Sequence, residues 1–442
     1  MTATDAATPS DEELFAVFVP VFDRIAEGAV ERERERRLPY EEVRRLRDAG
    51  LGRVRVPKKY GGLGATLPQL FRLLVRLGEA DPNLTQIFRA HFGFVEGRLH
   101  DDEEDSRRRW LARVAAGDLF GAAMAERAEA VDNPVKGSQD GDHWVIDGEK
   151  FYCTGTLYAD WIFVSVRDGE DVTSLAVPAT APGVTRIDDW DGFGQRLSAS
   201  GTTRFDNVRV PEEYVLRRFR RGERGREGSY ITGLYQQVHL ANLAGIARAV
   251  LRDAVANVKG RTRSFGVSGK SSPADHPAVQ RVVGRLSSLA FSAEALVEGV
   301  SASLERAWLA HFAGTATPEI YGDTDIRAFQ AQQIVIHQVL EACSLLFEVG
   351  GASAASGARG LDRHWRNART LSSHNPAILR EVALGNYHLN GKLPSAAWEE
   401  RLAAARAAGE TAPPADSTEV NLAASGAAAP IGDTPQPQKI SA

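Results

Sequence analysis

The spacing of apolar residues changes twice along this chain, and this change limits the folds available to it. Up to about residue 117, apolar residues recur every three or four positions, as in "LPQLFRLLVRLGEADP" (residues 67–82), which is typical of amphipathic helices. Between about 120 and 215, short β-rich runs such as "WIFVSV" and "SLAVPA" alternate with turn pairs such as Asp147-Gly148. Helical spacing returns in "HLANLAGIARAVLRDAVANV" (239–258). The sequence therefore predicts an α+β multidomain protein with the order helices, strands, helices.

This layout divides the chain into five segments. We expect an N-terminal helical domain at 14–118, a central antiparallel β-barrel or sandwich at 119–218, and a C-terminal helical domain at 219–399. Long apolar stripes over 279–309 and 329–349 indicate that the last domain is a four-helix bundle. Residues 1–13 are expected to be disordered. So is the Ala/Pro-rich tail 400–442, which has too few large apolar residues to offset the entropy of ordering.

The charge balance and the cysteine content narrow the classes of function. Fifty-three basic and 58 acidic residues give a net charge of −5, which predicts no nucleic-acid footprint. Cys153 and Cys343 lie far apart, so we expect no disulfide framework and a reducing compartment. The sequence has no signal-peptide pattern at its start and no run of about eighteen apolar residues. These features predict a cytoplasmic protein without a membrane segment.

Several common catalytic motifs are missing from the sequence. The segment "YGGLGAT" (60–66) lacks the third glycine and the strand-to-helix context of a dinucleotide fingerprint, so we interpret it as a turn. No HExxH pattern or zinc-type cysteine spacing occurs, and "GASAASG" does not have the form GxSxG. The sequence thus favours neither metal nor acyl-serine chemistry, and we predict no metal site.

The densest polar segment is "LDRHWRNARTLSSHNP" (361–376), with three arginines, two histidines, two asparagines and a tryptophan. Because it does not follow the apolar spacing of a plain helix, we interpret it as a site or an interface. Other polar stretches flank the predicted elements: "AMAER" (123–127), "KFYCTG" (150–155), "FGQRLSASGTTRF" (193–205), "RTRSFG" (261–266) and "EVGGASA" (348–354). Their order along the α–β–α layout is more specific than any one of them.

Over residues 14–393 these segments resemble the acyl-CoA dehydrogenase superfamily. "VPKKYGGLGAT" is similar to its first-domain signature and "GEKFYCTG" to its strand with a flavin-contacting threonine. "FGQRLSASGTTRFDNVRVP" is similar to its last sheet strands, and "RSFG" to its cofactor-phosphate motif. The resemblance implies a helical first domain, a central β-domain and a C-terminal four-helix bundle. It also implies a homotetramer that binds a flavin between domains and subunits.

Within the superfamily, "DDWDGFGQRLSASGTTRF" and the 361–376 segment resemble the reduced-flavin monooxygenase branch. This resemblance implies an enzyme that accepts reduced FMN from a separate flavin reductase. It would use O2 to oxygenate a sulfur, nitrogen or carbon centre of a small organic substrate.

The residue at the dehydrogenase base position separates the two kinds of enzyme. Gapless placement from the "RNA" of the 361–376 segment puts the catalytic glutamate of many acyl-CoA dehydrogenases at Asn375. An amide has no basic lone pair at neutral pH, so Asn375 does not abstract a proton as that glutamate does. The resemblance therefore favours oxygen chemistry at this segment.

Besides Asn375, the resemblance assigns three residues to catalysis. Thr154 matches the flavin-contacting threonine, with a strand threonine in a local hydrogen bond as the alternative. His374 matches a histidine near the flavin that could stabilise or protonate a flavin peroxide, a role that suits titration near neutrality. The alternative is a helix-capping or core histidine. His91, among phenylalanines, falls where the branch carries a histidine on the substrate side, or it is a packed core residue.

Cofactor contacts are expected at the flavin ring and at the phosphate end. At the ring, besides Thr154 and His374, Met124 and Ala125 occupy the flavin-edge loop, where "AER" replaces the usual "TEP", and Tyr152 would pack on the ring. At the phosphate end, forked guanidinium donors and close backbone approach are expected, the latter to a flavin in the adjacent subunit. The candidates there are Arg261, Arg263 and Phe265, with Thr262 at the usual arginine position, and Gly350, Gly351 and Ser353. Gly350 would alternatively be a helix C-cap.

Two other functions remain open from the sequence. One is an FAD-dependent acyl-CoA dehydrogenase or related oxidase whose base lies on another helix. The other is a non-catalytic scaffold that kept the fold and lost the flavin, because a fold alone does not establish a function.

Overall fold

The N-terminal part of the computed structural model is helical. The structure describes residues 8–126, 135–169, 171–220, 228–261, 272–396 and 400. The helices of the first part are α1 (Asp11–Glu27), α2 (Ala29–Glu35), α3 (Tyr40–Asp48), α4 (Leu67–Ala80), α5 (Pro82–Leu99) and α6 (Glu104–Ala115). The expectations for residues 1–7 and 401–442, and the candidates Arg263 and Phe265, lie outside the described residues.

Capping boxes fix where two of these helices begin. Ser10 and Glu13 cap α1, which therefore begins inside the segment 1–13 that we expected to be disordered. Thr66 and Gln69 cap α4 directly after the "YGGLGAT" segment. That segment is a turn, in which Gly61 has a positive φ of 89°.

The middle of the chain forms one sheet with mainly antiparallel pairing, as predicted. Its strands are β1 (Phe120–Ala123), β2 (Lys136–Asp140), β3 (His143–Lys150), β4 (Trp161–Asp168), β5 (Asp171–Pro178), β6 (Val184–Arg186), β7 (Thr203–Pro211) and β8 (Val215–Arg220). The order is β6-β7-β3-β2-β4-β5-β8, and β1 pairs in parallel with β4. In the antiparallel pair β3–β7, Lys150 lies opposite Thr203. The segment after β3 and the segment before β7 therefore lie side by side at one end of the sheet.

Long helices form the C-terminal part. They are α7 (Gly228–Lys259), α8 (Pro277–Phe312) and α9 (Pro318–Leu345), followed by the shorter α10 (Asp362–Ser372) and α11 (Ala377–Asn390). The helices α7, α8 and α9 pack on one another, while α10 and α11 pack on α9, and α4 packs on α7 and α8. One hydrophobic core therefore runs from the N-terminal helices into the bundle. Among the described residues, no helix combines the length and the apolar character that a membrane crossing requires.

The polar segment 361–376 is mostly helical, although its sequence lacks the apolar spacing of a plain helix. It forms α10, whose buried face carries polar residues that find partners on other elements. Arg363 and His364 both bind Asp253 of α7, at 2.6 and 2.8 Å. Asn367 accepts a hydrogen bond from the backbone N–H of Gln195 at 2.5 Å. The segment is thus an interface helix, held by hydrogen bonds and ion pairs where a plain helix has an apolar stripe.

Candidate active site

The end of the β3–β7 pair carries three hydrogen-bonded hydroxyl groups. Thr154 follows β3 and its Oγ1 lies 2.7 Å from Oγ of Ser200, which precedes β7. Oγ of Ser198 lies 2.8 Å from Oγ of Ser200 and donates to the carbonyl of Gln195, also at 2.8 Å. The backbone supports this arrangement, because the N–H of Gly155 donates to the carbonyl of Ser198 at 3.2 Å. Thr154 therefore has a local hydrogen bond. It lies at one end of a row of hydroxyl groups, Thr154, Ser200 and Ser198, which we call the polar edge.

Two glycines bring this polar edge close to α5 and α10. A Cβ on Gly155 would lie 2.7 Å from the carbonyl oxygen of Ile87 on α5, and one on Gly194 would lie 2.0 Å from that of Arg366 on α10. Any larger residue would push these elements apart. The loop before β7 is also tied to α5, since the N–H of Leu197 donates to Oδ1 of Asn83 at 3.1 Å. The sheet end is therefore fixed between the two helices.

The flavin-edge candidates lie beside this sheet end. The carbonyl of Ala125 accepts a hydrogen bond from the N–H of Phe151 at 2.8 Å, and the carbonyl of Met124 accepts one from Nζ of Lys150 at 3.2 Å. Lys150 is buried and also pairs with the carboxylate of Glu126. These bonds connect the loop after β1 to the end of β3. Met124 and Ala125 thus lie next to the segment 150–154, which ends in Thr154.

Tyr152 has an unusual backbone conformation at the same end of the sheet. Its φ is +58°, in the left-handed region that residues other than glycine seldom adopt. Its side chain is 39% exposed, and its ring lies 6.1 Å from that of Trp190. Exposed aromatic surface next to a polar edge is available for packing against a planar ligand.

His374 and Asn375 lie in the turn between α10 and α11. Asn375 is buried, its Nδ2 donates to Oε1 of Gln236 on α7 at 2.8 Å, and its carbonyl accepts from Gln332 on α9 at 3.2 Å. Oε1 of Gln236 also accepts from Arg380. Asn375 is therefore part of an amide network between three helices, and neither amide partner supplies a base.

The surroundings of His374 lower its pKa. Burial is the main cause, and the charges of Arg89 and Arg380 add to it, so the pKa lies well below the ordinary value near 6.5. The ring of His239, on α7, lies 4.2 Å away and is buried too. Titration near neutrality, which the sequence led us to expect of His374, is therefore wrong. The imidazole is neutral at pH 7.

Hydrogen bonds also indicate which nitrogen of His374 carries the proton. Nδ2 of Asn375 donates to Gln236, which leaves Oδ1 of Asn375 as the acceptor that lies 3.3 Å from Nδ1 of His374. The proton of the neutral ring is then on Nδ1. Nε2 is left as an acceptor, so this geometry allows the ring to take up a proton there, while the expected stabilisation or protonation of a flavin peroxide stays a prediction.

Several buried polar atoms near these residues have no partner within the described part of the chain. They are Oε1 and Nε2 of Gln195, Oγ1 of Thr370 on α10, both ring nitrogens of His239, and Nη2 of Arg89. Such an atom costs roughly 1–3 kcal/mol when it is left unpaired. This pattern fits a polar ligand such as a flavin that completes the hydrogen bonds. Nothing in the sequence marks His239 or Gln195 as a site residue, because their burial depends on the fold.

His91 has the geometry of a packed core histidine. Its Nδ1 accepts the N–H of Phe120 at 3.2 Å, and its Nε2–H donates to the carbonyl of Gly52 at 2.8 Å. Burial lowers its pKa to about 4, so the ring is neutral. Because the backbone uses both nitrogens, the structure favours the packed-core alternative for His91 over a place on the substrate side.

The phosphate-end candidates meet at the far end of the bundle. The guanidinium of Arg261 donates to the carbonyl of Val349 at 2.5 Å, next to Gly350 and Gly351. Gly351 has a φ of +56°, and the hydroxyl of the exposed Ser353 donates to the carbonyl of Gly350 at 3.0 Å. Because α9 ends at Leu345, Gly350 is not its C-cap. This group is separated from His239 by more than about 30 Å along α7.

No group of His, Cys, Asp or Glu side chains within the described ranges is arranged to hold a metal ion.

Family models match the chain in the order of its three structural parts. The N-terminal domain of acyl-CoA dehydrogenases matches residues 20–118, the middle domain 123–208 and the C-terminal domain 238–377. These ranges fall on the first helices, the sheet and the bundle.

Several relatives that align over most of their length are monooxygenases. The chain is 29% identical over 381 residues to the probable FMNH2-dependent monooxygenase SfnC of Pseudomonas putida, covering 84% of this chain and 93% of that protein. It is 27% identical over 403 residues to dibenzothiophene monooxygenase of Rhodococcus erythropolis, covering 87% and 95%. The crystal structure of FMN-bound TdsC from Paenibacillus sp. A11-2 matches with a TM-score of 0.78 and 26% identity, covering 86% and 98%. A further TdsC structure contains FMN and indole. The chain therefore belongs to the acyl-CoA dehydrogenase superfamily, in its FMN-dependent monooxygenase branch.

Proposed function

We propose that this chain is the oxygenase component of a two-component system, in which a separate flavin reductase supplies reduced FMN. Its substrate is a small organic molecule with a sulfur, nitrogen or aromatic centre. The observation that carries this proposal is the His374–Asn375 turn. A neutral imidazole and an amide stand where many acyl-CoA dehydrogenases have a catalytic glutamate. The relatives support it, since SfnC is described as FMNH2-dependent and TdsC binds FMN and indole.

The residues at the sheet end fit the ring of FMN. Thr154 and Ser200 offer hydroxyl groups to its polar edge, and the exposed side of Tyr152 offers an aromatic face. The unpaired amide of Gln195 supplies both a donor and an acceptor. When bound, reduced FMN supplies the two electrons that allow one atom of O2 to enter the substrate while the other leaves as water.

His374 acts at this site as a neutral acceptor. Asn375 holds Nδ1, so Nε2 is the atom that takes a hydrogen bond or a proton from the reacting groups. The positive charges of Arg89 and Arg380 keep the ring from retaining that proton, because they disfavour the imidazolium. His374 therefore moves protons without becoming a lasting cation.

The phosphate end of the same FMN is bound by a second copy of the chain. Arg261 and the Gly350–Ser353 turn lie too far along α7 from His239 for one mononucleotide to touch both groups within a protomer. Helix α11 supports association, since its outer face exposes apolar side chains. These are Ile378, Leu379, Val382 and Leu389. A homotetramer would cover this face and complete the flavin site.

Isotope labelling tests the proposed function. Protein, catalytic reductase, NADH, FMN and 18O2 are incubated with dibenzothiophene, indole or methanesulfinate, and the products are analysed by mass spectrometry. We expect at least one of the three to be oxygenated, with one 18O atom entering in each turnover, dependent on FMN reduction. His374→Ala should reduce the yield, whereas His337→Ala, an exposed histidine on α9, should not. Bleaching of bound FAD by an acyl-CoA, without 18O in any product, would contradict the proposal.

A further inference from the structure

The guanidinium of Arg89 is buried beside the proposed site, and no described residue supplies an anionic partner for it. Arg89 lies on α5 and is 8% exposed. Its Nε donates to the carbonyl of Tyr235 at 3.3 Å, and its guanidinium carbon lies 4.5 Å from the centre of the Tyr235 ring. Within the described part of the chain, its Nη2 has no hydrogen-bond partner and no carboxylate forms an ion pair with it.

The neighbours of Arg89 increase the positive potential. Its charge acts on His374 and on His239, which lies one turn after Tyr235 on α7, and Arg380 acts on both histidines as well. Both ring nitrogens of His239 are buried and without partners in the described part of the protein. Burying a charge is unfavourable unless it is paired, so such an arrangement fits a site that receives an anion from outside the chain.

We propose that Arg89 binds an anionic group of the substrate, a carboxylate, sulfinate or sulfonate, and presents the adjacent atom to the proposed flavin site at His374. The planar fork of arginine matches the two oxygens of these groups. The phosphate of FMN is not the expected occupant, because the candidate phosphate residues lie at the other end of α7. This inference rests on the proposed function, since it names the substrate class for that site.

Equilibrium binding tests this inference without turnover. Isothermal titration calorimetry is done on the full chain, with and without oxidised FMN, using methanesulfinate and benzoate as probes. Dimethyl sulfoxide and benzyl alcohol are their neutral counterparts. Anaerobic titration with reduced FMN gives the cofactor affinity separately. The variants are Arg89→Met, Arg89→Lys and the control Arg285→Met, which changes an exposed arginine on α8 that pairs with Glu341.

We expect at least one anionic probe to bind and its neutral counterpart not to bind. Arg89→Met should lower the affinity for that anion by roughly 10- to 100-fold. Arg89→Lys should be intermediate, because it keeps the charge and loses the fork. If Arg89→Met does not fold, Arg89→Gln replaces it in the same titration.

Three results would overturn the inference. They are no binding of either anion, equal binding by Arg89→Met, and an effect of Arg89→Met on reduced FMN alone, which would assign the charge to the cofactor. If the labelling experiment fails while anions still bind in an Arg89-dependent way, the proposed function is wrong but the anion site is supported.

Discussion

Replacing Asn367 with leucine removes the acceptor of a buried hydrogen bond between α10 and the loop before β7. Asn367 is 1% exposed, and its Oδ1 accepts the N–H of Gln195 at 2.5 Å. Leucine has the same branched skeleton of heavy atoms and is not smaller, so the substitution leaves no cavity and the main effect is an unpaired buried amide. Such an amide costs about 1–3 kcal/mol, and we expect the free energy of unfolding to fall by that amount. The same loop carries Ser200, so the affinity for FMN should fall too.

Urea unfolding followed by circular dichroism measures this change. Asn390→Leu is the matched control, because it makes the same change at an exposed asparagine at the end of α11 and should leave the midpoint unchanged. A midpoint for Asn367→Leu equal to that of the unchanged chain, with the same slope, would refute the role of Asn367 in fixing the loop.

Four further predictions concern charges and protons at the site. His374→Ala should slow oxygenation by roughly 10²- to 10⁴-fold in single-turnover assays, whereas equal rates would remove His374 from the chemistry. The neutral form of His374 exists above its lowered pKa and is lost only as pH falls through that pKa, so an inflection of the pH–rate profile near 6.5 would contradict the structure. Arg89→Met should raise the free energy of unfolding by roughly 1–3 kcal/mol, because it removes an unpaired buried charge, and lower stability in thermal melts would count against this. Lys150→Met should lower the free energy of unfolding by about 3–5 kcal/mol, because it leaves the Glu126 carboxylate buried without its partner. Adding Glu126→Gln should restore part of this loss in urea melts.

Apolar periodicity predicted the long helices well where the stripe is continuous. Within the segment 239–258, where helical spacing predicted a helix, the apolar residues at that spacing are buried: Leu243, Ala247, Val250, Ala254 and Val258. Helix α9 begins at Pro318, well before the predicted start at residue 329. Its first turns bury Thr324 and Asp325, which interrupt the apolar pattern that marks a helix in sequence. Helix α10 was not predicted for a similar reason. Its buried face is polar, and the residues that pair with this face are distant in the chain.

Candidate site residues could be named from the sequence only where a family motif marked them. Thr154 and His374 were named in this way, and their roles stay predictions. In the structure, the sheet end that carries Thr154 packs on α5 and α10, and His374 follows α10. His239 gave no signal, because a histidine in a helical stripe is equally compatible with solvent and with burial. A weak signal existed for Arg89, since it is a charge between apolar residues in "IFRAHFGF". That no carboxylate in the described part of the chain pairs with its guanidinium depends on tertiary structure, which the sequence pattern does not show.

Reaction of the protein–reduced FMN complex with O2 tests the central claim most directly. The protein is mixed anaerobically with reduced FMN, then with oxygenated buffer, and the flavin spectrum is followed by stopped flow. The account predicts that reoxidation passes through a spectrally distinct transient that outlives the reaction of free reduced FMN, and that His374→Ala changes its lifetime. Reoxidation at the rate of free reduced FMN, with no transient, would contradict it.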